Sequence, residues 1–125
     1  MEKKVFNLDT LIKGGPYSHV VEAGGFLFVS GMVPIDIQKG LMITDDIGKA
    51  TELVLSNVKM ALEHAGSNLD KVVKTTVFLR DMADFNSMNE IYSKFWSESP
   101  PARTCVAAKE IPGNFPLEIE VIAAR

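Results

Sequence analysis

Two apolar runs joined by a glycine pair open the regular part of the chain. Residues 20–23 and 26–30 are mainly apolar, and Gly24-Gly25 lies between them. Glycine tolerates the positive φ angles that a two-residue hairpin turn requires. The pattern therefore predicts two antiparallel strands, with Gly31 and Pro34 closing the second one. A loop tip is expected at residues 38–40.

Apolar residues spaced three or four apart predict a long amphipathic helix over residues 46–65. Thr44 or Asp45 is predicted to cap its first amides, and Gly66 stands where a left-handed residue ends helices. The apolar positions on one face are Ile47, Ala50, Val54, Val58, Ala61 and Ala65.

A second helix is predicted after Asp84, a plausible cap, and Pro100-Pro101 prevent its continuation. Its apolar stripe consists of Phe85, Met88, Tyr92, Phe95 and Trp96.

Residues 71–80 are rich in β-branched and aromatic side chains and predict a central strand. Two more strands are expected at 102–108 and 117–123, and a short one at Val5-Phe6. The order β-β-α-β-α-β-β predicts an α+β two-layer sandwich, a mixed sheet with both helices on one face. Apolar residues on both strand faces leave the other sheet face to be covered, and a second copy of the chain would cover it.

Length and composition favour one domain over residues 1–125, since 46% of the 125 residues are hydrophobic. The formal charge of -3 argues against binding to a nucleic-acid backbone. A single cysteine, Cys105, excludes an internal disulfide and suits the cytosol. No signal peptide is recognised, and no apolar run approaches the roughly 20 residues of a membrane helix.

The two C-terminal strands carry the most informative charges. Side chains alternate along a strand, so Arg103 and Cys105 share one face of the first, and Glu118 and Glu120 share one face of the second. One interpretation is an edge strand on which Arg103 forms an ion pair with a glutamate across a hairpin. The other is a pocket where the guanidinium binds an anionic substrate and a carboxylate handles a proton or water. The pattern alone leaves both open.

Three further places could serve a site or be purely structural. Asn89 lies on the apolar stripe of its helix, Tyr17 follows a Gly-Gly-Pro turn, and Ser30-Gly31 ends a strand. His19 and His64 lack metal-ligand or catalytic-triad spacing, and no glycine-rich nucleotide motif or CxxC motif is present. We therefore expect neither a metal nor a cofactor.

Taken together, several motifs resemble the RidA/YjgF reactive intermediate deaminase family over nearly the whole chain. The most specific is Pro-Ala-Arg followed, after a loop, by Leu-Glu-Ile-Glu. The motifs are Gly15-Pro16-Tyr17, Ser30-Gly31 with Pro34, Asn57-Val58, residues 73–78, residues 101–106 and residues 117–120.

The resemblance implies a chorismate-mutase-like fold assembled as a homotrimer, with a central barrel of sheets and clefts between subunits. It also implies cofactor-free hydrolysis of 2-aminoacrylate and 2-iminobutanoate to 2-keto acids and ammonia. In the matching positions, Arg103 would bind the substrate carboxylate and Glu118 would position the water. The other substrate-contacting positions would be Tyr17, Ser30, Gly31, Asn89 and Cys105, the last through its backbone.

Two departures from the family pattern are expected to lie near the cleft and to affect substrate preference. Met32 stands where a glutamine is common, and Lys13-Gly14-Gly15 replaces a more apolar approach to Pro16. A non-catalytic 2-keto-acid-binding or regulatory protein stays open as an alternative, and so does a ribonuclease or translation inhibitor. The retained Glu118 favours an enzyme over a binder, and the acidic net charge argues against the ribonuclease.

Overall fold

The computed structural model describes residues 2–125 as eight strands and two α-helices. Six strands form one sheet in the order β1-β2-β3-β8-β6-β7, and β4 and β5 form a separate small hairpin. The bounds are β1 Lys4–Phe6, β2 Val20–Ala23, β3 Phe26–Met32, β4 Ile35–Asp36, β5 Leu41–Met42, α1 Ile47–His64, β6 Val72–Leu79, α2 Phe85–Tyr92, β7 Ala102–Ala107 and β8 Leu117–Ala124.

This architecture confirms the predicted α+β fold with a mixed sheet. All neighbouring strands of the large sheet are antiparallel except β6 and β7, which run parallel. The β2–β3 hairpin turns at Gly24 and Gly25, whose φ angles are 60° and 82°. The β4–β5 hairpin falls where the sequence predicted only a loop, because its two-residue strands are too short to show alternation.

The first helix begins at Ile47, one residue later than predicted, and Asp46 is its cap. Asp46 has extended backbone angles, and its side chain accepts a hydrogen bond from the Lys49 amide at 3.0 Å. The predicted cap at Thr44 or Asp45 was therefore wrong, because only Asp46 immediately precedes the helix and reaches that amide. Gly66 has a φ of +87°, as predicted for the residue that ends this helix.

The second helix is shorter than its apolar stripe suggested. It ends at Tyr92, and Asp84 precedes it without making a side-chain cap. Trp96 nevertheless stays buried, because its Nε1 donates to the Leu69 carbonyl and its ring packs on Tyr92 at 4.8 Å between centroids. The stripe predicted burial correctly but overestimated the length of the helix.

Both helices cover one face of the sheet and leave the other open. On the helix face the β6 and β8 side chains Val77, Leu79, Leu117 and Ile119 are 0% exposed. On the open face Phe26, Phe28 and Val106 remain 43–45% exposed. An apolar sheet face of this kind is typical of a surface that associates with another chain.

Within residues 2–125 no helix combines the length and apolar character needed to cross a bilayer.

Candidate active site

The Glu118 side chain lies against the backbone of Gly31. Glu118 projects from β8 on the open face of the sheet, and β3 runs beside β8. A Cβ placed on Gly31 would overlap Glu118 Oε2 and lie 2.7 Å from its Cδ. Glycine at position 31 is therefore what allows the carboxylate to occupy this place.

A cavity of about 510 Å³ opens beside this contact, and we call it the Glu118 cleft. It brings together four of the predicted site residues, Tyr17, Ser30, Gly31 and Glu118. The remaining lining residues are mostly apolar: Ile12, Gly14, Val33, Ile35, Pro112, Gly113 and Phe115. Its size is in the range of small-molecule sites.

Among the described residues that line this cleft, Glu118 is the only carboxylate, and none of them is lysine, arginine or histidine. Ser30 Oγ already donates to the Ser18 carbonyl at 2.6 Å, and Tyr17 Oη accepts from the Gly14 amide at 3.1 Å. Burial raises the pKa of the Glu118 carboxyl above its usual range, and the negative charge of Glu120 adds to that rise. A carboxylate with a raised pKa accepts a proton more readily, as a general base should.

Arg103 lies in a second group of residues, the Arg103 cluster, which it forms with Asn89, Phe85, Tyr92 and Cys105. Its Nη1 donates to Asn89 Oδ1 at 2.7 Å, and its guanidinium lies 4.8 Å from the Tyr92 ring centroid and 5.6 Å from that of Phe85. Within residues 2–125 the guanidinium forms no ion pair with a carboxylate. Its other N–H donors can therefore bind a planar anion.

Cys105 shares the sheet face of Arg103 but shows no sign of an activated thiol. Burial raises the pKa of this thiol, and the positive charge of Arg103 only partly opposes the rise. A thiol of this kind is protonated at neutral pH and is a poor nucleophile. A backbone contact from Cys105 to the substrate stays a prediction.

The strand register puts Arg103 and Glu118 on opposite faces of the sheet. Arg103 pairs with Thr75 on β6, while Glu118 pairs with Phe78, three residues further along the same strand. Side chains an odd number of residues apart point to opposite faces. Thr75 faces the helices, where its Oγ1 lies 2.8 Å from Tyr92 Oη. Arg103 therefore cannot reach the Glu118 cleft of its own chain.

The same register overturns the ion-pair interpretation of Arg103. No hairpin joins β7 to β8, because β6 lies between them and pairs with both. Arg103 therefore cannot form a salt bridge with Glu118 or Glu120 of its own chain. A strand lies between them, and both glutamates project from the opposite face of the sheet.

Two residues next to the cleft have buried side chains. Met32 follows the cleft residue Gly31, as expected for a position near the cleft, but it is 5% exposed and pairs with Ile119 on the helix face, so its side chain packs in the core and does not line the cleft. His19, to which the sequence assigned no role, is 2% exposed and uses both ring nitrogens in hydrogen bonds. Among residues 2–125 no group of three His, Cys, Asp or Glu side chains could hold a metal ion.

The Gly31–Glu118 contact gives a direct prediction. We expect Gly31→Ala to displace the Glu118 carboxylate and to lower kcat for the reaction of the cleft by about tenfold or more, with about 1–3 kcal/mol lost from the free energy of unfolding. The matched control is Gly48→Ala, whose added Cβ meets its nearest atom at 3.5 Å. Steady-state kinetics and urea unfolding of both variants test this, and a fully active Gly31→Ala protein would contradict it.

Comparison with known proteins finds close similarity over the whole chain. The family model described as Endoribonuclease L-PSP matches residues 9–125. A RutC family protein of Pyrococcus horikoshii is 43% identical over 123 residues, covering 98% of each chain. A Lactococcus lactis protein named as the candidate regulator AldR is 40% identical over 121 residues, covering 97% of this chain and 96% of its own.

Solved structures agree with the sequence comparisons. A Thermotoga maritima protein described provisionally as an endoribonuclease superimposes with a TM-score of 0.92 at 41% identity, over 100% of this chain and 98% of its own. YyfA of Yersinia pestis, described as a member of the conserved Rid family, superimposes with a TM-score of 0.93 at 35% sequence identity, over 99% of this chain and 100% of its own. Escherichia coli TdcF with bound serine superimposes with a TM-score of 0.91 at 34% sequence identity, over 98% of each chain.

Proposed function

Because this chain belongs to the Rid/YjgF family, we propose that it hydrolyses reactive 2-imino acids and their enamine forms to 2-keto acids and ammonia. The substrates proposed are 2-aminoacrylate, through its imine form 2-iminopropanoate, and 2-iminobutanoate. The observation that carries the proposal is the half-buried Glu118 carboxylate, which has a raised pKa and lies beside a cleft of small-molecule size. No cofactor is needed, since water supplies the oxygen.

In the proposed reaction, Glu118 accepts a proton from water as the water oxygen forms a bond to the C=N carbon. Glu118 passes this proton to the imine nitrogen, and the product is a tetrahedral amino alcohol. In the collapse of this intermediate, Glu118 accepts the hydroxyl proton as the C=O bond forms and passes it to the amine nitrogen as the C–N bond breaks, which releases ammonia and leaves Glu118 as the carboxylate. Holding the water on its line of attack removes much of the entropic cost of the step.

Arg103 is proposed to hold the substrate carboxylate through the forked donors of its guanidinium. The hydrogen bond to Asn89 and the rings of Phe85 and Tyr92 orient that fork. Within residues 2–125 no carboxylate forms an ion pair with it. Tyr17, Ser30 and the backbone at Gly31 and Cys105 would complete the contacts to the substrate. The apolar walls of the cleft would then receive the short side chain of the imino acid.

Since Arg103 and Glu118 of one chain point to opposite sheet faces, we propose that each active site is shared by two copies in a homotrimer. Two features support this assembly: the exposed apolar residues Phe26, Phe28 and Val106 on the open face, and the outer edge of β7, which pairs with no further strand within residues 2–125. Three copies arranged around an axis would bury the open faces in a central barrel and repeat the same contact three times.

The activity is tested by generating 2-aminoacrylate and 2-iminobutanoate in place with a serine/threonine dehydratase. Semicarbazide traps the imine that survives, so the protein is expected to raise keto-acid release and lower semicarbazone formation. A folded protein that leaves both yields unchanged would refute the deaminase proposal.

A sensor of 2-keto acids is the second candidate, because Arg103 alone suffices to bind a carboxylate and one relative is named as a candidate regulator. Binding of 2-ketobutyrate without imine hydrolysis in the assay would favour it. A ribonuclease has less support, since the net charge is -3 and the buried His19 ring has no free nitrogen for acid–base catalysis.

A further inference from the structure

The segment between β1 and β2, residues 7–19, forms one wall of the Glu118 cleft without any helix or strand. It supplies Ile12, Gly14 and Tyr17 to the lining. Regular backbone hydrogen bonding therefore cannot fix these side chains relative to Glu118. The segment depends for its shape on buried anchors and on hydrogen bonds from side chains.

One of those anchors is the imidazole of His19, at the entrance to β2. The Leu8 amide donates to His19 Nδ1 at 3.0 Å, and His19 Nε2 lies 2.9 Å from the Ile12 carbonyl. Because an amide can only donate, Nδ1 must be the acceptor, and the ring proton must lie on Nε2. The neutral ring thus joins the two ends of the turn formed by residues 8–12.

The Ile12 carbonyl extends this connection to the phenol of the cleft. It also accepts from Tyr17 Oη at 3.5 Å, and that same Oη accepts from the Gly14 amide at 3.1 Å. The rings of Tyr17 and His19 meet edge to face with 6.2 Å between centroids. The Ile12 carbonyl oxygen therefore links the buried imidazole of His19 to Tyr17, which lines the cleft.

We propose that His19 is a positioning residue for imine hydrolysis, acting through the Ile12 carbonyl to set the place of Tyr17 and the cleft wall. The inference rests on the proposed function. His19 does not touch the substrate itself, because its ring is 2% exposed and both of its nitrogens are occupied.

Two amide variants separate the two hydrogen bonds. The amide nitrogen of glutamine reaches the place of the histidine Nε2, so His19→Gln can still donate to Ile12. Asparagine is one methylene shorter, so the side-chain oxygen of His19→Asn can accept from Leu8 while the bond to Ile12 is lost. We expect His19→Asn to raise KM about three- to tenfold with a smaller change in kcat, and His19→Gln to restore KM to about twofold of its original value.

Hydrogen exchange at the Gly14 amide provides a readout that does not depend on catalysis. Since this amide donates to Tyr17 Oη, we expect it to exchange faster in His19→Asn than in His19→Gln or the unchanged protein. The comparison still tests His19 if the protein hydrolyses no imine, so failure of the proposed function remains distinguishable.

Urea unfolding of both variants completes the experiment. Equal KM values and equal Gly14 exchange in the two variants would overturn the proposal. Loss of folding in His19→Asn alone would also overturn it, because the Ile12 bond would then serve stability rather than the cleft.

Discussion

Replacing Arg103 with alanine is expected to reduce kcat/KM for imine hydrolysis by about two to three orders of magnitude, corresponding to about 3–4 kcal/mol of lost transition-state binding. The guanidinium would supply charge-assisted hydrogen bonds to the substrate carboxylate, and alanine supplies none. The fold should persist, because Arg103 is half-buried on an edge strand and, within residues 2–125, its one side-chain hydrogen bond goes to Asn89. Steady-state kinetics, circular dichroism and thermal unfolding measure these effects.

Two companion variants make the Arg103 experiment specific. Arg103→Lys keeps the charge but loses the fork, so we expect it to recover only part of the activity. Lys109→Ala removes an exposed cation close to the same strand and should keep full activity. Full activity in a folded Arg103→Ala protein would rule out the proposed carboxylate site.

Replacing Glu118 with glutamine is expected to lower kcat by about a hundredfold or more and to change keto-acid binding much less. Glutamine has nearly the same shape but cannot accept the proton of the attacking water. Pre-steady-state or steady-state assays give kcat, and titration with 2-ketobutyrate gives the affinity. A variant that loses binding and turnover equally would contradict a role in the chemical step.

The pH dependence of the unchanged protein should report the same carboxyl group. Because burial and Glu120 raise the pKa of Glu118, the base form is lost on acidification at a higher pH than for an ordinary glutamate. Activity should therefore rise with pH through this elevated pKa, and the acid limb should be absent from the residual rate of Glu118→Gln. Glu120→Gln is the matched control, since removing its charge should move the limb to lower pH.

The contribution of Glu118 to the free energy of unfolding should depend on pH in the opposite direction to activity and fall as pH rises. A carboxyl whose folded-state pKa is raised stabilises the fold fully below its unfolded pKa, and this contribution is lost as pH rises through the folded pKa. Glu118→Gln should consequently be at least as resistant to urea as the unchanged protein at neutral pH. Such a result would show that the carboxylate is kept in place for function and at some cost in stability.

The sequence predicted local features where the deciding residues are neighbours in the chain. Gly24-Gly25 determined the β2–β3 hairpin, and alternation correctly paired Arg103 with Cys105 and Glu118 with Glu120. The predicted helix cap, Thr44 or Asp45, missed the actual cap Asp46, because adjacent polar residues compete and backbone geometry decides between them. Local patterns leave such choices undetermined.

Relations between distant segments could not be predicted in the same way. The insertion of β6 between β7 and β8 decides that Arg103 and Glu118 face opposite sides, and that pairing is set by the packing of the whole sheet. The role of His19 depends on how residues 7–18 turn around its ring. Neither feature has a periodic signature in the sequence.

The central claim is that one active site takes Arg103 from one copy and Glu118 from another. It is tested by refolding Arg103→Ala and Glu118→Gln chains together in equal amounts and assaying 2-iminobutanoate hydrolysis. Each chain is nearly inactive alone, but random mixing should give about one quarter of the original sites, because that share combines both intact residues. Recovery near that level is the predicted result. Mixed assemblies that recover no activity, although the chains exchange, would contradict the shared site.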